Sequence, residues 1–417
     1  MLKTPRGTKD ILPGEIEKWQ FIESKFREIT EKYNYKELRT PIFETTEVFS
    51  RSIGEETDIV NKEMYTFLDK GGKSMTLRPE MTAALVRSVI QNNLCSQGEL
   101  QRLWYYGPFF RYERPQKGRF RQFHQFGVEC LASEYAESDV EIISLGIDLI
   151  NSLQFKDYTL IINSLGNRES RQVYLNHLVE YFNDNKGSLS ETSQIRLEKN
   201  PLRILDSKSE DDIKVNQNAP FIDDYFDNES NEHFDEVKSM LDYLNIDYRL
   251  DRRLVRGLDY YSHTVFEFQS NVLGAQDSFG GGGRYNSLFE QLGGKPTPAI
   301  GFAMGVERLL LILEQINNNE QKSCLDVYIV NAGIDNRNEI MKLADKLRKN
   351  YSVVFDLKRK NIKAQFKEAN KLNCKYTVVL GQQEIENNEL SIKNMENGNQ
   401  VKLSLSSEID LDDINWE

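Results

Sequence analysis

Between Phe109 and Glu129 the chain reads FFRYERPQKGRFRQFHQFGVE. Six cations fall in this span, counting a charged histidine: Arg111, Arg114, Lys117, Arg119, Arg121 and His124. Aromatic rings at Phe109, Phe110, Tyr112, Phe120, Phe123 and Phe126 are interleaved with them. Near-alternation about a polar RPQKGR centre predicts two antiparallel strands joined by a loop. Side chains 121, 123, 125, 127 and 129 then share a face, so Arg121, Phe123, Gln125 and Glu129 would line one pocket. Cations set among flat rings suit a ligand that carries phosphates and a base. They equally suit a twisted hairpin with a solvated basic face.

Net charge limits how such a stretch is used. The 417 residues sum to −12, which disfavours indiscriminate adhesion to nucleic acid or anionic membrane but allows a locally basic site for a structured RNA. The length accommodates two or three domains, and 39% hydrophobic with 28% charged residues is ordinary for a soluble globular chain. The opening MLKTPRGTKDILPG has prolines where an export signal needs an apolar run, and RLLLILEQI reaches only about half of membrane-spanning length. A cytoplasmic protein is expected. Cys95, Cys130, Cys324 and Cys374 never form CxxC, and His124, His177, His233 and His263 are scattered without HExxH. Neither a disulfide framework nor a protein-held transition metal is expected; any metal would be magnesium arriving with a nucleotide.

Ile16, Trp19, Ile22, Phe26 and Ile29 recur at spacings of three and four, predicting an amphipathic helix over 15–33. YKELRTPIFE follows as a strand in which Pro41 suits an edge or interface. Residues 64–78 read as a hairpin about DKGGKS, 81–92 as a helix, 103–129 as the strand pair and 138–153 as a second amphipathic helix. From 168 to 245 Asn, Ser, Asp and Glu rise and the patterns become helical and weakly apolar, predicting a helical insertion. Strands resume around LVRGLDYYSHTVFEFQS, and AIGFAMGVERLLLILEQI reads as a strand running into a helix. The polar INNNEQKS marks a boundary between domains over 1–322 and 323–417. In the second domain LDVYIVN, YSVVFDL and YTVVLG alternate with helices, and a hairpin closes around Asn397-Gly398.

GGKS at 71–74 ends like the phosphate-binding GxxxxGK[ST], but Phe67 stands where the first glycine is required, so it reads as a hairpin turn. The glycine run 280–283 either lets a backbone approach a ligand or another strand closely, or forms a flexible loop. TLRPEMTAA puts Glu80 and Thr82 at a strand-to-helix transition. LVRGLDYYSHT supplies Arg256, Tyr260 and Tyr261. GFAMGVERL sets Arg308 in the first turns of a helix, suited to a terminal phosphate or to a cap or ion pair.

Together FRYERPQKGR, LRPEMT, LVRGLDYY, GGGRYN and GFAMGVERL resemble the motifs of the histidyl-tRNA synthetase family, within the class II aminoacyl-tRNA synthetases. FRYERP is similar to class II motif 2 and GFAMGVERL to motif 3; the helix and strand ending at Pro41 resemble motif 1, the dimer interface. LVRGLDYY and GGGRYN resemble the two signatures that set the histidine enzymes apart, and the likeness runs from TPRGTKDILP into the C-terminal module. It implies an α+β catalytic domain, with an antiparallel sheet and flanking helices, followed by an α/β anticodon-binding domain. It implies a cytoplasmic homodimer that activates L-histidine with ATP, magnesium riding on the pyrophosphate, and transfers it to the 3′ end of tRNA(His).

The same resemblance assigns roles. Arg111 contacts the α-phosphate and the histidine carboxylate, and Arg256 is the catalytic arginine at the reacting phosphate. Arg121 and Arg308 reach the outer phosphates, Phe123 stacks on adenine and Glu113 lies near its amino group. Glu80, Thr82 and Gln125 suit the α-ammonium, and Glu129 with Tyr260 or Tyr261 suits the two imidazole nitrogens. Arg114 and Gln116 would approach the acceptor end of the tRNA. The run DLKRKNIKAQFK, 356–367, would contact tRNA or else form a solvated helix face. Met81 and Asn286 depart from a common glycine and aspartate; Met81 would narrow the pocket mouth and Asn286 removes a charge. Two rival readings are a regulatory paralogue that partners ATP phosphoribosyltransferase, and a pure RNA-binding protein.

Overall fold

The computed structural model describes residues 2–54, 57, 59–205, 207–274, 277–316, 325–333, 336–406, 409–411, 414 and 416. It divides into two units, 1–318 and 319–417. The boundary expected at 322/323 lies outside the described residues.

In the first unit α1 (Ile16–Lys32) buries Trp19, Ile22, Phe26 and Ile29, the stripe expected from their spacing. Phe26 stacks on Phe126 with ring centroids 4.0 Å apart, and truncating such a fully buried ring costs about 3–5 kcal/mol. After β1 (Lys36–Glu37) comes a small sheet of β2 (Phe43–Thr45), β3 (Tyr65–Leu68) and β4 (Ser74–Leu77), with α2 (Thr46–Ile53) between its first two strands. GGKS is the β3–β4 turn: Asp69 Oδ1 accepts from the N–H groups of Gly71 and Lys73, each at 2.8 Å. Then α3 (Thr82–Gln91) leads to β5 (Gln101–Phe110) and β6 (Gln122–Leu131), paired antiparallel from Gln101↔Leu131 to Phe110↔Gln122.

Beyond α4 (Ala136–Ser152) and β7 (Thr159–Ser164), the chain forms α5 (Arg168–Asp184), α6 (Glu191–Lys199), α7 (Leu202–Leu205), α8 (Glu210–Asn216) and α9 (Asn228–Tyr243). Its apolar content is larger than the polar composition suggests. Tyr174, Leu178, Phe182 and Ile204 are buried in one cluster with Tyr260, Tyr261 and Phe289. Tyr174, Leu178 and Phe182 form a narrow four-residue-spaced stripe along α5, while Ile204 comes from the short α7.

The chain returns through β8 (Arg249–Leu250), β9 (Ser262–Gln269), β10 (Ser278–Arg284), α10 (Leu288–Gln291), β11 (Ala299–Gly305) and α11 (Val306–Ile316). The large sheet has the order β1-β5-β6-β11-β10-β9-β7-β8, antiparallel except where β1 meets β5 and β8 meets β7. One sequence expectation changes here and one ambiguity is resolved. Residues 254–261, taken as the start of a strand, are irregular; β9 begins at Ser262, and side chains satisfy the loop, as when Asn163 donates to the Leu254 carbonyl at 3.0 Å. Of the alternatives for the glycine run, close approach to other strands is the one realised: it is the middle of β10, bonded on both sides. A Cβ on Gly282 would lie 1.9 Å from the Gly301 carbonyl oxygen, so no other residue fits that strand spacing.

The second unit contains β12 (Val327–Asn331), α12 (Arg337–Leu347), β13 (Val353–Phe355), α13 (Ile362–Lys371), β14 (Tyr376–Leu380), α14 (Gln382–Glu386), β15 (Glu389–Asn394) and β16 (Gln400–Ser404). Its sheet order is β13-β12-β14-β15-β16, parallel over the first three and antiparallel thereafter. Val327, Ile329, Leu343, Val378 and Ile392 make its core. Gly398, at φ +81°, closes the last hairpin. Among the described residues no helix is long and apolar enough to cross a membrane.

Candidate active site

One face of β5, β6, β11 and β10 lines a cavity of about 190 Å³ in the first unit. Glycines open it. Glu129 pairs with Gly301 across β6 and β11, and a Cβ on Gly301 would sit 1.6 Å from Glu129 Oε2. Tyr105 pairs with Gly127, where a Cβ would meet the ring at 2.2 Å. Arg256 lies against Gly281, where a Cβ would approach its Nη1 to 2.9 Å. Three pocket side chains thus lie across neighbouring strands at positions where those strands carry only glycine.

The carboxylates are built in. Glu129 is 1% exposed; Oε1 accepts from the Thr82 hydroxyl at 2.8 Å and Oε2 from the Tyr285 hydroxyl at 2.6 Å. Burial nevertheless pushes its carboxyl up to about 8. Glu80 accepts from the N–H groups of Thr82 at 2.6 Å and Ala83 at 3.0 Å, capping the first turn of α3. Burial also raises its pKa, against those bonds and the helix N-terminus. Two buried carboxylates facing one small cavity suit a ligand that brings N–H donors and positive charge.

Guanidinium groups gather beside them. Arg256 pairs with Glu267 of β9, while its buried Nε has no acceptor among the described residues. Arg111 donates Nε to the Pro79 carbonyl at 2.9 Å and lies over the Phe123 ring, 5.3 Å from its centroid. Arg121 covers the Tyr112 ring at 3.7 Å and donates to the Glu113 carbonyl at 3.2 Å. The Glu113 carboxylate accepts from Arg119 at 3.1 Å, and Arg308 donates to the Ser278 carbonyl.

A family model described as histidyl-tRNA synthetase matches residues 7–309, and one described as an anticodon binding domain matches 326–411. The chain belongs to the histidyl-tRNA synthetase family. A Streptococcus thermophilus protein named histidine–tRNA ligase is 48% identical over 409 residues, 97% of this chain and 96% of that relative. The crystal structure of apo S. aureus histidyl-tRNA synthetase matches with a TM-score of 0.82 at 40% identity, covering 97% of this chain and 98% of that one. A Bacillus halodurans structure described as an ATP phosphoribosyltransferase regulatory subunit/histidyl-tRNA synthetase has a TM-score of 0.64 at 23% identity, over 91% of this chain and 98% of that one. That likeness speaks to the fold alone. As a member of the histidyl-tRNA synthetase family, the chain has a class II α+β catalytic domain and a C-terminal anticodon-binding domain.

Of the residues singled out in the sequence of this family member, Glu80, Thr82, Arg111, Gln125, Glu129, Arg256, Tyr260 and Tyr261 line the cavity together. The shared face expected for 121–129 is only partly realised. Strand β6 starts at Gln122, so Arg121 precedes it, and neither Arg121 nor Phe123 is in the cavity lining. Arg308 also stands outside it, within the electrostatic reach of Arg119 and Glu113. Arg114 and Gln116 lie in the loop before β6, where Gln116 and Arg119 form an isolated bridge.

His124, counted among the cations, is used within the fold. Its N–H donates to both oxygens of Glu307 at 2.9 and 3.0 Å, and Nδ1 lies 3.1 Å from the same carboxylate. Strand β11 ends at Gly305, so Glu307 supplies the acceptor that a longer strand would have offered. Met81 does not narrow the cavity mouth: it is 1% exposed in the core, with the Thr40 hydroxyl 3.4 Å from its sulfur. Asn286 accepts from the Ala299 N–H at 3.2 Å. Sequence reasoning missed Tyr105, Tyr285 and Glu267. Tyr285 carried a signal, since it stands inside GGGRYN; the other two depend on strand pairing.

Proposed function

We propose that this chain activates L-histidine with ATP to histidyl-adenylate and transfers the histidyl group to the 3′ end of tRNA(His), releasing AMP and diphosphate. The observation that carries this reading is one small cavity lined jointly by buried Glu80 and Glu129 and by Arg111 and Arg256. Glu129 with a tyrosine of the Tyr260–Tyr261 pair takes the imidazole nitrogens, and Glu80, Thr82 and Gln125 take the α-ammonium. The histidine carboxylate, held by Arg111 and Arg256, attacks the α-phosphate; its oxygen bonds to phosphorus and the bond to diphosphate breaks. Arg256 and Arg111 are catalytic because fixed guanidinium groups stabilise the charge that builds on the five-coordinate phosphorus.

Phe123 stacks on adenine, Glu113 accepts from its amino group, and Arg121 and Arg308 hold the outer phosphates, with magnesium arriving on the nucleotide. Arg114 and Gln116 approach the tRNA acceptor end. The terminal ribose 3′-hydroxyl then attacks the adenylate carbonyl, AMP leaves, and an adenylate phosphate oxygen takes the proton. In the second unit Arg359, Lys360 and Lys363 line a groove of about 850 Å³ with Phe355 and Leu357, which supports tRNA contact there. Exposed Ile42, Phe43, Phe67 and Leu68 on the small sheet beside Pro41 support a homodimer. The relatives' role as tRNA ligases supports a cytoplasmic site of action.

Histidine-dependent exchange of pyrophosphate into ATP tests the reading, because neither a regulatory paralogue nor a pure RNA-binding protein catalyses it. Absence of histidine-dependent exchange would sink it. Ending the chain after residue 318 should spare part of the exchange and sharply weaken tRNA charging; undiminished charging at low tRNA would remove the second unit from RNA contact.

A further inference from the structure

The loop 252–261 has two sides. One carries Arg256, Tyr260 and Tyr261 into the cavity. The other is bolted to the helices between β7 and β8. Arg171 Nη1 donates to the carbonyls of Asp259 at 3.1 Å and Tyr261 at 2.9 Å. Asn200 donates to Asp259 Oδ1 at 3.0 Å, Arg252 to Asp223 and Asp224 at 2.8 and 2.7 Å, and Arg253 to the Pro220 carbonyl at 2.8 Å.

Arg171 is itself held from two directions. It lies in the first turn of α5, whose N-cap Asn167 donates to Asp227, the N-cap of α9, at 2.5 Å. The N–H of Asn167 donates to Ser230 Oγ at 3.1 Å, and that of Asp227 to Ser170 Oγ at 3.2 Å. The two helix starts therefore cap one another, which fixes where the Arg171 side chain begins. Its bonds end on the carbonyls either side of Tyr260. Tyr260 lies 5.7 Å from Tyr285, which in turn donates to Glu129. A direct chain of contacts runs from the helices, through the loop backbone, to the buried carboxylate.

We infer that the helical segment is part of amino-acid recognition, with Arg171 as the positioning residue that sets the Tyr260–Tyr261 backbone from behind. The inference rests on reading the cavity as the histidine site. Removing Arg171 leaves the two carbonyls short of a donor and frees the loop to rotate its rings away from Glu129. Lysine keeps the charge but offers a compact point donor in place of the rigid fork.

The test is pyrophosphate exchange on full-length Arg171→Ala, Arg171→Lys and Asn200→Ala, titrating histidine and ATP separately. For Arg171→Ala the histidine KM should rise about tenfold or more while the ATP KM stays within about twofold; the other two should show roughly threefold in the same direction. A purely structural role would lower kcat with the folded fraction and move neither KM. If Arg171→Ala fails to fold, the two milder variants decide. An unchanged histidine KM in the soluble variants overturns the inference. Wild-type exchange that ignores histidine would instead break the functional reading on which it rests.

Discussion

Glu80 and Glu129 are 4% and 1% exposed, and all four of their oxygens already accept from Thr82, Ala83 or Tyr285. The arginines nearby are placed differently. Arg111, Arg121 and Arg308 are partly exposed, and each gives a donor to a backbone carbonyl, that of Pro79, Glu113 and Ser278 in turn. The carboxylate end is finished when the chain folds, and a ligand adds bonds to it. At the arginine end a triphosphate exchanges carbonyl partners for phosphate oxygens, so binding strength there is a difference between two sets of bonds. Changes at the first end should cost selectivity and alter folding; changes at the second should act on nucleotide use and be blunted by salt.

Arg256, which lines the cavity and pairs with Glu267, should give the largest effect on activity. Arg256→Lys is expected to slow single-turnover adenylation by about 100-fold or more, roughly 2.7 kcal/mol, because a point charge cannot span carboxylate and phosphate as a planar fork does. Histidine affinity by calorimetry should move far less. A rate within about threefold of wild type would remove Arg256 from the reacting phosphate.

The carboxylate end is probed next by Glu129→Gln. Histidine affinity should fall about tenfold or more while the ATP KM barely moves, since the variant changes the acceptor and leaves the nucleotide contacts alone. Equal loss of histidine and ATP binding would show that the two ends are not separable.

Much of this contrast was legible in the residue order, and the rest depends on which strands become neighbours. The 3–4 spacing of Trp19, Ile22, Phe26 and Ile29 set α1, and alternation around RPQKGR set β5 and β6, because local period decides which side a residue faces. Tyr105 reaches the pocket only because Gly127 lies opposite it, and Glu267 reaches Arg256 only because β9 borders β10. No local pattern encodes such pairings. The 280–283 run is ambiguous by composition alone, since glycine serves a mobile loop and a crowded strand equally well. That Glu307 holds His124 could not be read locally, because the two are 183 residues apart.

A separate effect, on stability, concerns pH. Burial holds the Glu129 carboxyl up to about 8, against an ordinary 4.5. Between those values the folded chain keeps a proton that the unfolded chain has released, so this contribution to stability is fully present below 4.5 and is lost as pH rises towards 8. Glu129→Gln removes that dependence. Urea melts from about pH 5.5 to about pH 8.5 should show wild type losing on the order of 3 kcal/mol more than the variant. Parallel curves would mean that Glu129 is ionised throughout and that its donors outweigh its burial.

The smallest effect should come from the Glu113–Arg119 pair. Its side chains are 17% and 41% exposed, and the N–O distance is 3.1 Å. A pair this open contributes about 0–1 kcal/mol, since water and salt screen it and both side chains lose freedom in forming it. Arg119→Ala should therefore shift the ATP KM by less than about threefold at physiological salt, and the shift should shrink further as salt is raised. The freed Glu113 carboxylate even gains a lone pair for the adenine amino group, which offsets part of the loss. A salt-independent rise of about tenfold would overturn the contrast between the ends, because the arginine end would then be as firmly built before the nucleotide arrives as Glu80 and Glu129 are.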